Sequence, residues 1–174
     1  MKQKLLFIIA SIFIFNLLYA QKIIPLTPAQ KQQFLAAHNA YRKAVGAPPL
    51  QWSDQLANYA KHWAMVLAST ESTKNSPNNK YGENVYTTSL DVNPQAAVDH
   101  WASEKKYYNG QPITLDNYWI FGHYTQIIWS TTKQVGCAIA QDKDGTYYVV
   151  CEYSPAGNVI GKKPVPNYPH HPVQ

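Results

Sequence analysis

Apolar residues recur every three to four positions in three stretches of the chain, a spacing that predicts amphipathic helices. The first helix follows Thr27-Pro28, and Gln30 three residues after Thr27 completes the pattern of a capping box. It is predicted to end at Val45, because Gly46 is a natural stop. The other predicted helix starts are Ser53 and Asn93-Pro94. The predicted inward positions are Phe34, Ala37, His38, Tyr41 and Val45, then Leu56, Tyr59, Ala60, Trp63, Val66 and Leu67, then Val98, Trp101, Lys105 and Tyr108, with Glu104 beside the last stripe.

The C-terminal half changes to a strand pattern. Two β-prone runs, 135–141 and 146–153, flank an Asp-Lys-Asp-Gly turn signal at 142–145 and predict a hairpin. Residues 83–88 predict one more short strand. Helices followed by a terminal hairpin predict an α+β fold, in which helices pack on an antiparallel sheet. The intervening stretches that predict loops are 69–80 and 109–122.

Both cysteines lie in the predicted hairpin. If its register pairs residues whose numbers sum to 288, Cys137 lies directly opposite Cys151 and a disulfide can form. A shifted turn would instead leave two buried free thiols. A catalytic cysteine is disfavoured, because both positions are mid-strand without an obvious His partner.

The N-terminus has the pattern of a secretory signal peptide. A basic start at 1–4 precedes an apolar run at 5–18, and small Ala20 comes just before polar Gln21-Lys22. The run is shorter than the roughly 20 residues of a membrane-spanning helix, so no stable span is expected. Cleavage near Ala20 would export the protein to the extracellular or periplasmic space, where disulfides form. An uncleaved membrane anchor is the alternative.

Composition narrows the class of protein. The chain has 174 residues, of which 45% are hydrophobic and 14% charged, which excludes general disorder and fits one domain. Removal of residues 1–20 lowers the formal charge from +5 to +3. Arg42 is the only arginine and the lysines are scattered, so nucleic-acid binding is not expected. We predict a signal peptide at 1–20, one domain at 21–166 and a flexible tail at 167–174.

Three side chains are candidates for chemistry: Glu83, Glu104 and His123. Each also has an ordinary structural reading, as a turn cap, a solvated helix face and a core histidine respectively. The sequence contains no metalloprotease helix motif, no Cys-x-x-Cys pair and no glycine-rich phosphate loop. Taken singly, these residues therefore define no activity.

Longer motifs indicate a family. The segment 122–132, GHYTQIIWSTT, and the segment 148–159, YVVCEYSPAGNV, resemble the two signatures of the CAP superfamily, which includes cysteine-rich secretory proteins and plant pathogenesis-related proteins of the first class. Glu152 in the second segment stands where Asn or another polar residue is usual. The resemblance covers about residues 30–166 and is closest to the plant type. Three shorter landmarks occur in the family's order: His38-Asn39-x-x-Arg42, Gly82-Glu83-Asn84 and Trp101-x-x-Glu104.

The resemblance implies a three-layer α-β-α sandwich with a central antiparallel sheet and a large cleft that gathers two His and two Glu. Glu83, Glu104 and His123 match three of these positions, and Asn75 takes the place of the second histidine. Relatives that bind zinc in the cleft use both histidines, and a carboxamide is a poor zinc ligand. We therefore expect that the protein requires no cofactor, and that any zinc would bind with reduced affinity through His123, Glu83 and Glu104.

The resemblance also implies a secreted, non-enzymatic binding module, with a lipid-like, sterol-like or other apolar ligand or an extracellular protein as partner. A metal-assisted hydrolase using the same cleft is one alternative, since two carboxylates and a histidine can transfer protons. However, hydroxyls such as Thr125 and Ser130 lack a visible base. The other alternative is a signalling protein that acts through its surface or through a C-terminal segment beginning at Pro155.

Overall fold

A computed structural model describes residues 21–77 and 79–169, so the predicted signal peptide lies outside the described residues. The helices are α1 (Pro28–Ala44), α2 (Asp54–Thr70), α3 (Pro94–Ala102) and α4 (Tyr118–Ile127), with a 3-10 helix at Ser103–Tyr107. The strands are β1 (Lys22–Ile24), β2 (Gln51–Trp52), β3 (Gly82–Thr88), β4 (Gln134–Gln141) and β5 (Tyr147–Ser154). Within these ranges no helix is long and apolar enough to cross a membrane.

The three predicted helix starts are confirmed by their caps. Thr27 accepts a hydrogen bond from the Gln30 amide, and the Gln30 side chain accepts one from the Thr27 amide, which makes a full capping box. Ser53 caps α2 and Asn93 caps α3 through their side-chain oxygens. Each cap satisfies amide groups that the first helical turn leaves free, so short local patterns fix where these helices begin.

Two boundaries differ from the sequence-based expectation. Helix α3 ends at Ala102, and the chain tightens into the 3-10 helix, which carries Glu104 and leaves Lys105 half-buried. The predicted loop at 109–122 is shorter, because α4 begins at Tyr118. The cause is a local set of bonds, in which the Tyr118 amide donates to the Thr114 carbonyl and the Thr114 amide donates to the Asn117 side chain.

The sheet has the strand order β1-β4-β5-β3 with antiparallel pairing, and β2 adds a short parallel pair at the beginning of β4. The hairpin register is the predicted one, with Cys137 opposite Cys151. These two residues form a disulfide across a Cα–Cα distance of 4.1 Å, which confirms the predicted pairing. The covalent link therefore joins the two central strands of the sheet.

Helices cover both faces of the sheet, as expected for a three-layer sandwich. On one face α2 packs its small residues against β4 and β5, where Ala138 and Val150 lie. Gly136 permits this close approach, because a Cβ there would lie 2.2 Å from the Ala57 amide nitrogen. On the other face, α1, α3 and α4 enclose the larger core, which includes Phe34, Trp101 and Tyr124.

Arg42 is fully buried on the face covered by α1 and binds backbone oxygen only. No carboxylate forms a salt bridge with it among the described residues. Burial lowers its pKa to about 10, so the guanidinium stays charged at neutral pH. It therefore ties α1 to the turn that follows α4. Its acceptors are the carbonyls of Pro48 (2.6 Å), Ile127 (2.9 Å), Trp129 (2.8 Å) and Thr132 (2.9 Å).

Packing continues past the predicted end of the domain at residue 166. Tyr168 is buried in the main core, where its ring contacts Tyr108 edge-on. Its hydroxyl lies 3.0 Å from the hydroxyl of Tyr124. The start of the predicted flexible tail is therefore part of the folded domain as far as residue 169, and residues 170–174 lie outside the described residues.

Candidate functional site

A cleft of about 430 Å³ opens where β3 begins and β5 ends. The loop before β3 forms one side, and the start of α4 and the segment after β5 form the rest. Its lining is divided by polarity. The polar lining residues include Asn75, Asn79, Glu83 and Asn158, and the apolar ones include Leu115, Trp119 and Ile160.

Gln126 supports the inner end of this cleft from α4 and is buried. Its side-chain oxygen accepts a hydrogen bond from the Gly157 amide at 2.9 Å. A Cβ at Gly82 would lie 2.0 Å from Gln126 Oε1, and a Cβ at Gly157 would lie 2.8 Å from Gln126 Nε2. The two glycines therefore let the strand and the loop close around one amide side chain.

Glu104 and His123 form a pair between the 3-10 helix and α4. Glu104 Oε1 lies 2.7 Å from His123 Nδ1, and Oε2 accepts hydrogen bonds from the amides of His123 (2.9 Å) and Tyr124 (3.2 Å). Helix α4 is kinked at Phe121, so Glu104 caps the part of the helix that restarts there. With Nδ1–H donating to the carboxylate, Nε2 is left as the available nitrogen of a half-exposed ring.

Glu83 and Glu152 face each other directly across β3 and β5, and both are buried. Glu83 Oε1 accepts from the Ser76 amide at 2.9 Å, and Glu152 Oε2 accepts from the Asn79 side chain at 2.8 Å. The two remaining oxygens, Glu83 Oε2 and Glu152 Oε1, face no N–H or O–H donor of another residue. A proton on Glu152 that is directed at Glu83 would satisfy both oxygens.

Burial is the largest cause that raises the pKa of Glu152, and its hydrogen bond with Glu83 raises it further, to about 9. The pair therefore keeps one proton at neutral pH, because two buried like charges at opposed strand positions would repel each other. Sequence reasoning noted Glu152 only as a departure from the usual Asn. Glu152 can be recognised from the strand register, which places it directly opposite Glu83.

Tyr118 is a second residue that the sequence analysis missed, because it fell in the predicted loop. Burial raises its pKa, and the negative charges of Glu83 and Glu104 raise it further. Its hydroxyl therefore lies in the field of both carboxyl groups. Tyr118 also lines the cleft, where it adds a hydroxyl next to the apolar side.

The four predicted cleft residues are thus divided between two arrangements. Asn75 and Glu83 line the cleft, whereas Glu104 and His123 pair behind the start of α4. In the described part of the chain, no group of three or more His, Cys, Asp or Glu side chains is close enough together to hold a metal ion. The geometry gives a Glu–Glu pair and a Glu–His pair.

His38, the first family landmark, lies in the core. Burial lowers its pKa to about 4, so the ring is neutral. Its Nδ1 lies 2.7 Å from the Phe34 carbonyl oxygen and its Nε2 lies 2.8 Å from the Tyr153 hydroxyl. Asn84 then donates to this hydroxyl and to the His123 carbonyl, both at 3.1 Å. This network connects α1 to the site but exposes no reactive group to the cleft.

The sequence matches the cysteine-rich secretory protein (CAP) family over residues 35–153. The chain belongs to this family. It is 44% identical over 135 residues to pathogenesis-related protein 1C of Nicotiana tabacum, an alignment that covers 77% of this chain and 80% of that protein. Pathogenesis-related protein PR-1 of Medicago truncatula is 39% identical over 137 residues, covering 77% and 78% of the two chains.

Solved structures agree with the family assignment. BmVAL-1 superimposes with a TM-score of 0.68 and 29% identity, covering 80% of this chain and 82% of the other. The structure of NaASP2 with Zn²⁺ shares the fold at a TM-score of 0.66 and 24% identity, covering 84% and 88%. These matches confirm the α+β sandwich of the CAP family.

The residues of this CAP protein do not fit a zinc site. Zinc favours imidazole and thiolate ligands, but no histidine or cysteine is among the described residues that line the cleft, and the His123 ring has one nitrogen already bound to Glu104. In the family resemblance of the sequence, the carboxamide of Asn75 takes the place of the second imidazole. Glu83 is held by Ser76 and paired with Glu152. No chemical step is therefore derived through a metal.

We predict that Asn75→His tightens zinc binding by at least about tenfold, because an imidazole replaces a poor ligand. Isothermal titration of zinc chloride into the wild-type protein and the variant measures the change. Adding His123→Ala to the variant is the control and should abolish the gain. Equal affinity of wild type and Asn75→His would contradict the prediction.

Proposed function

We propose that this CAP protein is a secreted binding module whose cleft takes a small amphiphilic ligand. The observation that carries the proposal is the mixed lining of the cleft, which combines Leu115, Trp119 and Ile160 with polar groups such as Asn75 and Glu83. Ligand sites combine a mostly apolar surface with a few polar groups that orient the ligand. The apolar body of a ligand would lie against Trp119, with its polar group toward Asn75 and Glu83.

The charge of the cleft restricts the polar group of this ligand. The Glu83–Glu152 pair with its single proton keeps a negative charge, and Glu104 adds a second nearby. An anionic head group would be repelled there, whereas a hydroxyl can donate to Glu83 and accept from the carboxamide of Asn75. A sterol-like alcohol therefore suits the cleft better than a fatty-acid carboxylate.

Several features support secretion. The pattern of residues 1–20 predicts a signal peptide with cleavage near Ala20. The family is described as secretory, and the Cys137–Cys151 disulfide suits an oxidising compartment. From these features taken together we infer an extracellular or periplasmic location.

The geometry supports binding better than hydrolysis by a side-chain nucleophile. No Ser, Thr or Cys side chain within the described ranges hydrogen-bonds to the His123 ring. The Thr125 hydroxyl is already committed to the Asn158 side chain at 2.6 Å and the Phe121 carbonyl at 3.0 Å. A nucleophile positioned by a base is the arrangement that covalent catalysis needs.

Binding of the fluorescent sterol dehydroergosterol tests the proposal. We expect saturable binding that Leu115→Ala weakens by about fivefold, because the variant removes part of the apolar side of the cleft. Leu90→Ala is a matched control, since Leu90 and Leu115 are 74% and 75% exposed but only Leu115 lines the cleft. Absence of saturable binding, or an equal loss in the control, would refute the proposal.

A further inference from the structure

Exposed apolar side chains are concentrated next to the cleft. Eight large hydrophobic residues are exposed in the described part of the chain, and five of them lie in just two short segments. Trp119 is the most exposed of all at 81%. Leu115, Trp119 and Ile160 line one cleft, and exposed apolar side chains grouped in this way mark an interaction site. We call this surface the apolar platform; it consists of Leu115, Trp119, Ile120, Val159 and Ile160.

Backbone hydrogen bonds hold the two segments of the platform together. The Ile113 amide donates to the Lys162 carbonyl at 2.9 Å, and the Gly161 amide donates to the Ile113 carbonyl at 2.8 Å. The Lys162 amide donates to the Val159 carbonyl at 3.0 Å and closes a turn, in which Gly161 has a φ of +81°. The platform is therefore built on fixed backbone, so its ordering cost on binding is low.

The charges beside the platform favour one kind of binding partner, a membrane surface. Lys162 and Lys163 are exposed at the end of the turn, and exposed Asp116 lies just before α4. The acids that repel an anionic group in the cleft, Glu83 and Glu152, are buried and are not exposed on its rim. Tryptophan prefers the headgroup level of a bilayer, aliphatic side chains enter the layer beneath it, and lysines bind anionic headgroups. We propose that the apolar platform docks this protein on the surface of a membrane that contains anionic lipids.

Docking would place the opening of the cleft against the bilayer, because Leu115, Trp119 and Ile160 belong to both the platform and the cleft. An amphiphile could then pass from the membrane into the cleft without crossing water. This route rests on the proposed binding function, whereas docking itself does not. Ile120 and Val159 belong to the platform but not to the cleft lining, so the two activities can be separated.

Vesicle co-sedimentation of the processed protein tests docking. We expect binding to phosphatidylcholine vesicles that contain phosphatidylserine, much weaker binding without it, and release at high salt. Tryptophan emission should shift to the blue on binding, because Trp119 leaves water. Trp119→Leu should keep most of the binding but lose most of that shift, since Trp101 and Trp129 are already buried and half-buried Trp52 and Trp63 are not part of the platform.

The double variant Ile120→Ser with Val159→Ser should lower vesicle affinity at least about tenfold and leave dehydroergosterol binding unchanged. Lys162→Gln with Lys163→Gln should lower affinity for anionic vesicles by about tenfold. Leu90→Ala is the control and should change neither measurement.

Three results would overturn the docking proposal. They are failure of the wild type to bind anionic vesicles, an equal loss in Leu90→Ala, and a dimer in sedimentation analysis that Ile120→Ser dissociates, since a second copy would then occupy the platform. Vesicle binding without sterol binding would refute the proposed function alone and leave docking supported. The two failures are therefore distinguishable.

Discussion

Replacement of Arg42 by alanine is expected to lower the free energy of unfolding by about 4 kcal/mol, a large share of the stability of a domain this size. The guanidinium donates to four carbonyls, and its removal leaves them buried without donors. The variant also opens a cavity in a fully buried position. Urea unfolding followed by circular dichroism measures the loss.

Arg42→Lys separates the hydrogen bonds from the charge. Lysine keeps the charge but has three donors on one atom, so it cannot span carbonyls on both sides of the guanidinium. We expect Arg42→Lys to lower the free energy of unfolding by about half as much as Arg42→Ala does. The neighbouring exposed Lys43→Ala should change stability by less than about 0.5 kcal/mol. A loss below about 1 kcal/mol in Arg42→Ala would show that these carbonyls are satisfied without the side chain.

Glu152→Gln is expected to raise stability at pH 8 by on the order of 3 kcal/mol and to flatten its pH dependence. The folded protein holds the pKa of Glu152 at about 9, above the ordinary 4.5, so it binds this proton more tightly than the unfolded chain does. That stabilisation is full below about pH 4.5 and is lost as the pH rises toward 9. A glutamine mimics the protonated acid, since its oxygen can accept from Asn79 and its amide can donate to Glu83.

Thermal unfolding at several pH values between 5 and 8.5 gives the comparison. The wild type should lose stability across this range more steeply than Glu152→Gln does. Asp116→Asn is the control at an exposed acidic position, and its stability should change with pH as steeply as that of the wild type. Parallel slopes for the wild type and Glu152→Gln would mean that the carboxyl pair does not share a proton.

Local signals explain why most of the fold is predictable. The capping residues Thr27, Ser53 and Asn93 satisfy amides within three positions of themselves, so the sequence alone specifies them. The hairpin turn at 142–145 sets the register that brings the two cysteines together. Helix α4 escaped prediction because its first residues include exposed Trp119 and Ile120, which break the apolar period that marks a helix face.

The site is harder to predict because its contacts are long-range. Glu152 meets Glu83 only through the pairing of β3 with β5, strands that are far apart in the chain. Glu104 pairs with His123 in the structure, and it also caps the restarted helix. No local sequence pattern predicts this helix capping by Glu104, because it depends on the kink at Phe121.

The closure of Gly82 and Gly157 around Gln126 has a consequence for how this family can vary. The three positions behave as one unit, because any side chain at either glycine would occupy the space of the Gln126 amide. A larger residue at 82 or 157 alone meets a steric conflict. At 82 the three nearest atoms all belong to Gln126, so shortening position 126 relieves the conflict, whereas at 157 a Cβ would also lie 2.8 Å from Trp129 Cγ. Substitutions here are therefore epistatic, and engineered libraries of the cleft should vary the three codons together.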